Sequence, residues 1–232
     1  LRDAKQAVID YSGELSKSVT FAVTNDNIST KLLCDFMIQH RDYYIEQYMH
    51  AEHDAFTLLE EGHLDFVLTS GKIQCKSKNI YWQELKKENL YLLASESHKL
   101  SPQNPISLEK MKKYEYIMEK SAFQVRGRGY DFFESIGFQP EIRFVTNEFE
   151  VMIALVELDV GACIVSEETA KKLLSNSKRR LSAAPIDTEL ASQIIGIASL
   201  KGHYMTRAAK CLYDFTVSYF RDSEPLVNLM IN

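Results

Sequence analysis

Residues 19–38 constrain the chain most. They open on an alternating apolar run, Val19-Thr20-Phe21-Ala22-Val23, which reads as a buried strand. A polar turn, Thr24-Asn25-Asp26-Asn27, leads to Ile28, Leu32, Leu33, Phe36 and Met37, which recur with helical spacing. A strand that feeds straight into a helix leaves the first-turn amides without partners inside the helix, aimed past the strand end. Thr24, Asn25, Asn27, Ser29 and Thr30 add side-chain donors and acceptors there. In an open α/β sheet, ligands bind in the crevice beyond the carboxyl ends of the strands. The corner is therefore expected to form one wall of a small-molecule cleft. The same residue types also serve as plain N-caps, and Asp26, Asn27 or Ser29 fits that role too.

The pattern then repeats. Tyr44 to Met49 alternates like a second strand, and Ala55, Phe56, Leu58 and Leu59 mark an amphipathic helix that closes at Gly62. Leu64 to Leu68 reads as a third strand ending in Thr69-Ser70-Gly71. Two successive β–α–β crossovers imply parallel strands with right-handed connections. That layout brings Thr69 and Ser70 beside Thr24 and Asn25. Ile80 to Leu85 leads to a short strand at Leu90 to Ala94, and the polar run Ser95 to Asn104 before Pro105 is the first candidate domain crossing.

A second β/α series starts at Tyr114 to Met118. It continues through a helix at Tyr130 to Ile136, stopped by Gly137 and Pro140, to a strand at Glu141 to Val145. Thr146-Asn147 then precedes a helix with Phe149, Met152, Ile153 and Val156 on one face, and Gly161 introduces the buried run Ala162 to Val165. A helix at Glu167 to Leu174 is followed by Ser175 to Ala184, which reads as a charged loop with Lys178-Arg179-Arg180 on a solvated face. A strand at Ser192 to Ala198 and an amphipathic helix at Thr206 to Phe220 close the pattern. These are two similar sets, each too small to enclose a cleft alone.

Composition narrows the partners. With 232 residues the chain has material for two modest domains, and 27 basic against 32 acidic side chains give no electrostatic reason to hold nucleic acid. No apolar run approaches the roughly 20 residues of a membrane span, and the charged opening Leu1 to Ile9 is no signal peptide. The four cysteines, Cys34, Cys75, Cys163 and Cys211, lie far apart; Cys34, Cys163 and Cys211 sit in apolar patterns, as buried thiols do in reduced cytoplasmic proteins. Leu1 to Asp10 has helical spacing up to Gly13 and lacks an initiating Met, so a fragment of a longer protein is expected.

Reactive arrangements are few. His50-Ala51-Glu52-His53-Asp54 gathers metal-capable side chains, yet spacing places no further ligands and H-E-x-x-H is not present. Arg126-Gly127-Arg128-Gly129 suggests a phosphate loop, but Phe132 stands where the third glycine belongs, so a flexible basic turn is expected. No G-x-S-x-G identifies a nucleophile. No catalytic residue, metal site or cofactor is expected.

Taken in order, the chain resembles the effector-binding domain of LysR-type transcriptional regulators from Ser18 to Phe220. Glu61-Gly62-His63-Leu64-Asp65-Phe66-Val67 fits the family's G-x-L-D before an apolar strand. Leu90 to Leu93 followed by Ser97-His98-Lys99-Leu100 is similar to its strand and His-Pro-Leu, with Lys99 in place of proline. Gly137 to Ile142 fits the approach to a second-lobe strand. Val156 to Ser166 resembles a glycine-bracketed apolar segment, with Asp159 replacing its first glycine and Ser166 its final proline.

The resemblance implies an α/β fold like a type 2 periplasmic binding protein, two Rossmann-like lobes joined by two crossover strands with an effector held between them. Residues 1–17 would be the remnant of a linker helix, 18–95 with 197–232 lobe I, and 96–196 lobe II. The effector-contact positions carried over are Thr24, Asn25, Asn27, Ser29, Thr69 and Ser70 in lobe I and Ser121, Phe123, Thr146 and Phe149 in lobe II. Glu52 departs from the family's small hydroxyl residue; facing the cleft it would disfavour an anionic ligand, and otherwise it is a first-turn helix acid. The implied protein is a cytoplasmic homodimer, tetrameric when intact, that meets DNA only through an N-terminal winged helix-turn-helix outside this sequence. The alternatives are a transport-type solute-binding protein, against which the absent export signal and unpaired cysteines speak, and an enzyme on the same scaffold.

Overall fold

The structure, a computed structural model, describes residues 17–24, 30–50, 52–70, 77–119 and 128–222. The chain divides into two units, residues 1–86 with 194–232 (unit 1) and residues 87–193 (unit 2).

Unit 1 opens with β1 (Ser18–Val23), α1 (Thr30–Gln39), β2 (Tyr44–Met49), α2 (Glu52–Glu60) and β3 (Phe66–Ser70). β1 pairs in parallel with both β2 and β3, the strand direction that two β–α–β crossovers produce. The alternation read from β1 sorts its side chains onto two faces. Val19, Phe21 and Val23 meet Leu32 and Phe36 of α1 on one side, while Ala22 meets Ala55, Phe56 and Leu59 of α2 on the other. Cys34 was expected to be buried with them and is exposed. It lies two residues from both Leu32 and Phe36, on the opposite side of the helix. α2 ends at Gly62 (φ +69°), where the amides of Gly62 and His63 donate to the carbonyls of Leu59 and Leu58, a Schellman stop.

The third strand starts two residues later than its apolar pattern begins. Asp65 leaves the ladder and its Oδ2 accepts the Thr20 amide at 2.8 Å. Burial pushes the Asp65 carboxyl up, and the Thr20 amide pulls it partly back.

β4 (Ile80–Ser95) is one strand of 16 residues, in place of the short strand expected at 90–94. Its first half belongs to unit 1, where Ile80 is buried, Trp82 packs beside it and Leu85 packs against the opposite cluster, while Tyr81 and Glu84 are exposed; the division falls between Lys86 and Lys87. Unit 2 continues with a 3-10 turn (Glu96–His98), α3 (Leu108–Met111), β5 (Glu115–Glu119), α4 (Arg128–Ser135), β6 (Glu141–Thr146), α5 (Phe149–Glu157), β7 (Cys163–Ser166), α6 (Glu167–Leu174) and β8 (Leu181–Pro185). β5 and β6 are parallel, Tyr116 bridges Ala162, and β4 lies antiparallel to both β7 and β8. Strand parity again builds two cores. Tyr91, Leu93 and Ile117 join Met152, Ile153 and Val156, whereas Leu92, Ala94, Tyr116 and Met118 join Phe132 and Phe133. Burial and desolvation raise the Cys163 thiol far above its ordinary value, which keeps it a protonated packing residue.

β8 corrects the loop expected over Ser175 to Ala184. Leu181 and Ala183 pack on one face and Ala184 on the other, and the Ser182 hydroxyl donates to the Ser95 carbonyl at 2.8 Å. Small side chains hide a strand that the sheet needs. Arg179, expected on a solvated face, is 24% exposed and donates to Glu150 at 2.6 Å and Glu157 at 3.1 Å. β9 (Ser192–Leu200) then runs back into unit 1, antiparallel to β3, and α7 (Arg207–Asp222) covers the β1–β3 face with Ala208, Ala209 and Leu212. The sheet path is β2-β1-β3-β9-β4-β7. The linker helix expected at Leu1 to Asp10 lies outside the described residues.

Candidate functional site

The parallel register Val23–Leu68 carries one residue further, to Thr24 and Thr69. The Thr24 amide donates to the Leu68 carbonyl at 3.1 Å, and the two threonine hydroxyls stand 2.6 Å apart, one donating to the other. Thr69 is buried and shares the face of Ala22 and Val67, the side covered by α2. Ser70, next along the pleat, lies on the opposite face with Phe66 and Leu68. It is 8% exposed, and its Oγ has no hydrogen-bond partner among the described residues.

That pattern has chemical content. A hydroxyl buried without a partner forfeits about 1–3 kcal/mol of hydration. A ligand that accepts from or donates to Ser70 Oγ restores it. The threonine pair satisfies itself but still has one donor hydrogen and several lone pairs to offer. Asn25, Asn27 and Ser29, named from the sequence as neighbours, lie outside the described residues, and so does the side chain of Glu52.

In unit 2, Thr146 closes β6 and its Oγ1 accepts the Glu148 amide at 3.0 Å, a local turn that fixes the entry to α5. Phe149 begins α5 half-buried against the cluster of Met152, Ile153 and Val156, so part of its ring is committed to packing. Ser121 and Phe123 lie outside the described residues.

Two acidic arrangements escaped the sequence reading. Glu88, 3% exposed on β4, accepts the Glu168 amide at 2.8 Å and the Gln193 side-chain amide at 3.0 Å. Asp159 accepts from Ser97 Oγ at 3.2 Å and sits 2.7 Å from His98 Nε2. The second contains a Ser, a His and an Asp, yet both Ser97 and His98 address the same carboxylate, so the histidine is not placed to take the serine's proton. The signal for Asp159 was present as its departure from a glycine position; Glu88 carried none, since one acid among Lys86, Lys87 and Asn89 looks like an ordinary surface strand.

Among the described residues no group of three or more His, Cys, Asp or Glu is placed to hold a metal, and no helix is long and apolar enough to cross a membrane.

The family model of the LysR substrate binding domain matches residues 12–221. The chain belongs to that family. The LysR substrate-binding fold, with its type 2 periplasmic-binding-protein topology, accounts for the antiparallel β9 beside three parallel strands. An HTH-type transcriptional regulator of Bacillus subtilis (strain 168), YybE, is 26% identical over 165 residues, 71% of this chain and 54% of YybE. The chain thus spans about half the length of that relative. Among solved structures, the effector-binding domain of QuiR in complex with shikimate is 22% identical, with a TM-score of 0.68 over 89% of this chain and 98% of that one. The BenM effector-binding domain with its effector benzoate is 19% identical, with a TM-score of 0.72 over 93% and 98%.

Proposed function

We propose that this LysR substrate-binding domain is the sensing part of a cytoplasmic transcription regulator, non-catalytic, that takes a small-molecule effector at its strand-end corners. Binding shifts an equilibrium between conformations by the effector's differential affinity for them, and a winged helix-turn-helix outside this sequence turns that shift into altered DNA binding. The working assembly is a homodimer, with tetramers in the intact protein. The name of YybE supports the regulatory role, and the shikimate and benzoate of QuiR and BenM support a small carboxylate, aromatic or not, as the effector class.

The observation that carries the reading is the buried Ser70 hydroxyl, without a hydrogen-bond partner among the described residues, next to the Thr24–Thr69 pair. Asn25, Asn27 and Ser29 complete this corner in the proposal, while Ser121, Phe123, Thr146 and Phe149 supply the contacts from unit 2. Thermal-shift screening against a metabolite library tests it, because a ligand that binds only the folded state raises Tm. A compound that raises the wild-type Tm is expected to lose most of its effect in Thr24→Ala and Ser70→Ala. Undiminished shifts in both variants would remove the corner from the site.

A further inference from the structure

The chain passes between its units twice, between Lys86 and Lys87 in β4 and between Gln193 and Ile194 in β9. These strands are neighbours in the sheet. We propose that Glu88 and Gln193 form a clamp that locks the two crossover strands onto α6 and confines their bending to the short stretch beyond it, residues 84–87.

Glu88 joins the two strands to the helix. A buried carboxylate costs several kcal/mol unless its oxygens are hydrogen-bonded. Both are. Oε1 takes the amide of Glu168, in the first turn of α6, where the exposed N–H groups favour negative charge, and Oε2 takes Gln193 Nε2. Gln193 is itself 7% exposed. Each crossover strand is therefore tied to the same helix start within two residues of the point where it leaves unit 2.

The unit 1 ends are held differently. The Trp82 ring lies where a β-carbon on Gly196 would stand, and Tyr213 of α7 donates to Gln83 at 3.3 Å. Between the two anchors, Glu84 and Lys87 are exposed, Lys86 is half-buried and Leu85 alone packs against a core cluster. A strand segment with one packed apolar side chain opens and bends at lower cost than the clamped segments on either side. The clamp depends on the sensing role only for its purpose: it is tested on the unliganded chain, whereas the effector screen tests sensing.

Hydrogen-exchange mass spectrometry on the full 232-residue chain decides it. In Gln193→Ala, exchange across residues 84–92 and 190–196 is expected to quicken about tenfold, while the Glu168 amide, still held by Glu88, keeps its protection. Glu88→Ala is expected to release both. Glu88→Gln is expected to behave like wild type, because its amide oxygen still accepts from Glu168 and the Gln193 amide rotates to accept from its nitrogen. Wild-type strand exchange in Gln193→Ala, or Glu88→Gln behaving like Glu88→Ala, would overturn the proposal; should Glu88→Ala fail to fold, Gln193→Ala and Glu88→Gln still decide it.

Discussion

His98 Nε2 meets Asp159 Oδ1 at 2.7 Å, and Asp159 makes that contact from a backbone φ of +61°. The amides of Asp159 and Val160 donate to the carbonyls of Val156 and Leu155, so Asp159 fills the position where a helix stop ordinarily has glycine, as Gly62 and Gly137 do elsewhere. The left-handed backbone costs a β-carbon residue about 1 kcal/mol or more. Hydrogen bonds from Ser97 and His98 offset that cost. Asp159→Ala keeps the strain and loses the bonds, and is expected to lower stability by about 1 kcal/mol. Asp159→Gly loses both and should stay near wild type. Urea midpoints with unchanged m-values check the order.

The same pair sets a pH dependence. The hydrogen bond from His98, then the charge interaction with His98, and last the Ser97 bond hold the Asp159 carboxyl below its ordinary value of 3.8. A depressed folded-state value contributes stability above the unfolded one and loses it as pH falls through the folded one. The stability gap between wild type and Asp159→Asn is therefore expected to be full well above pH 3.8 and to close below it. Since both side chains are largely exposed, the gap amounts to tenths of a kcal/mol, read from urea titrations at several pH values.

Thr69 and Ser70 should respond oppositely to losing their hydroxyls. Thr69→Val breaks the 2.6 Å bond to Thr24 and is expected to destabilise the unliganded chain by about 1 kcal/mol. Ser70→Ala removes a buried hydroxyl with no described partner and is expected to be neutral or stabilising without ligand. Thermal melts of the unliganded variants separate the two.

Gly196 has no room for a side chain. A β-carbon there would stand 2.2 Å from the Trp82 ring and 2.7 Å from the Gln83 carbonyl oxygen. Gly196→Ala is expected to cost about 2 kcal/mol or more, as overpacking of a fixed site does. Adding Trp82→Ala should recover only part of that, because the Gln83 backbone stays. Chemical denaturation of the single and double variants measures the difference.

Adjacent arginines make a contrast. Arg179, half-buried between Glu150 and Glu157, is expected to cost about 1 kcal/mol as Arg179→Met, read from urea midpoints. Arg180, 77% exposed against Glu96, should give no measurable change as Arg180→Met.

The parts legible in the sequence were those where one periodicity dominates. β2 and α6 have the bounds their patterns gave, and the Thr24–Thr69 neighbourhood followed from two crossovers alone. β8 was not legible, because Ser182, Ala183 and Ala184 carry too little apolar bulk to mark a strand that is nonetheless buried. β4 was legible only at Leu90 to Ala94, where apolar residues run together; from Ile80 to Asn89 charged and polar residues break up the pattern. Within the site, alternation along β3 puts Ser70 on the face of Phe66 and Leu68, but that its hydroxyl is buried without a described partner depends on packing that no local pattern encodes. Glu88 has partners 80 and 105 residues away, a separation that no local pattern encodes.

The route of β9 fixes an order of events during synthesis. Residues 87–193 emerge from the ribosome as one uninterrupted piece that already contains the strands of unit 2. The β1–β3 layer, made before that piece, must wait for β9 and α7, whose residues are translated after it, before its inner strand and one covering helix exist. The earlier-born half of this protein is therefore the later to mature, and its unpaired β3 edge is the surface that a nascent-chain chaperone would have to shield.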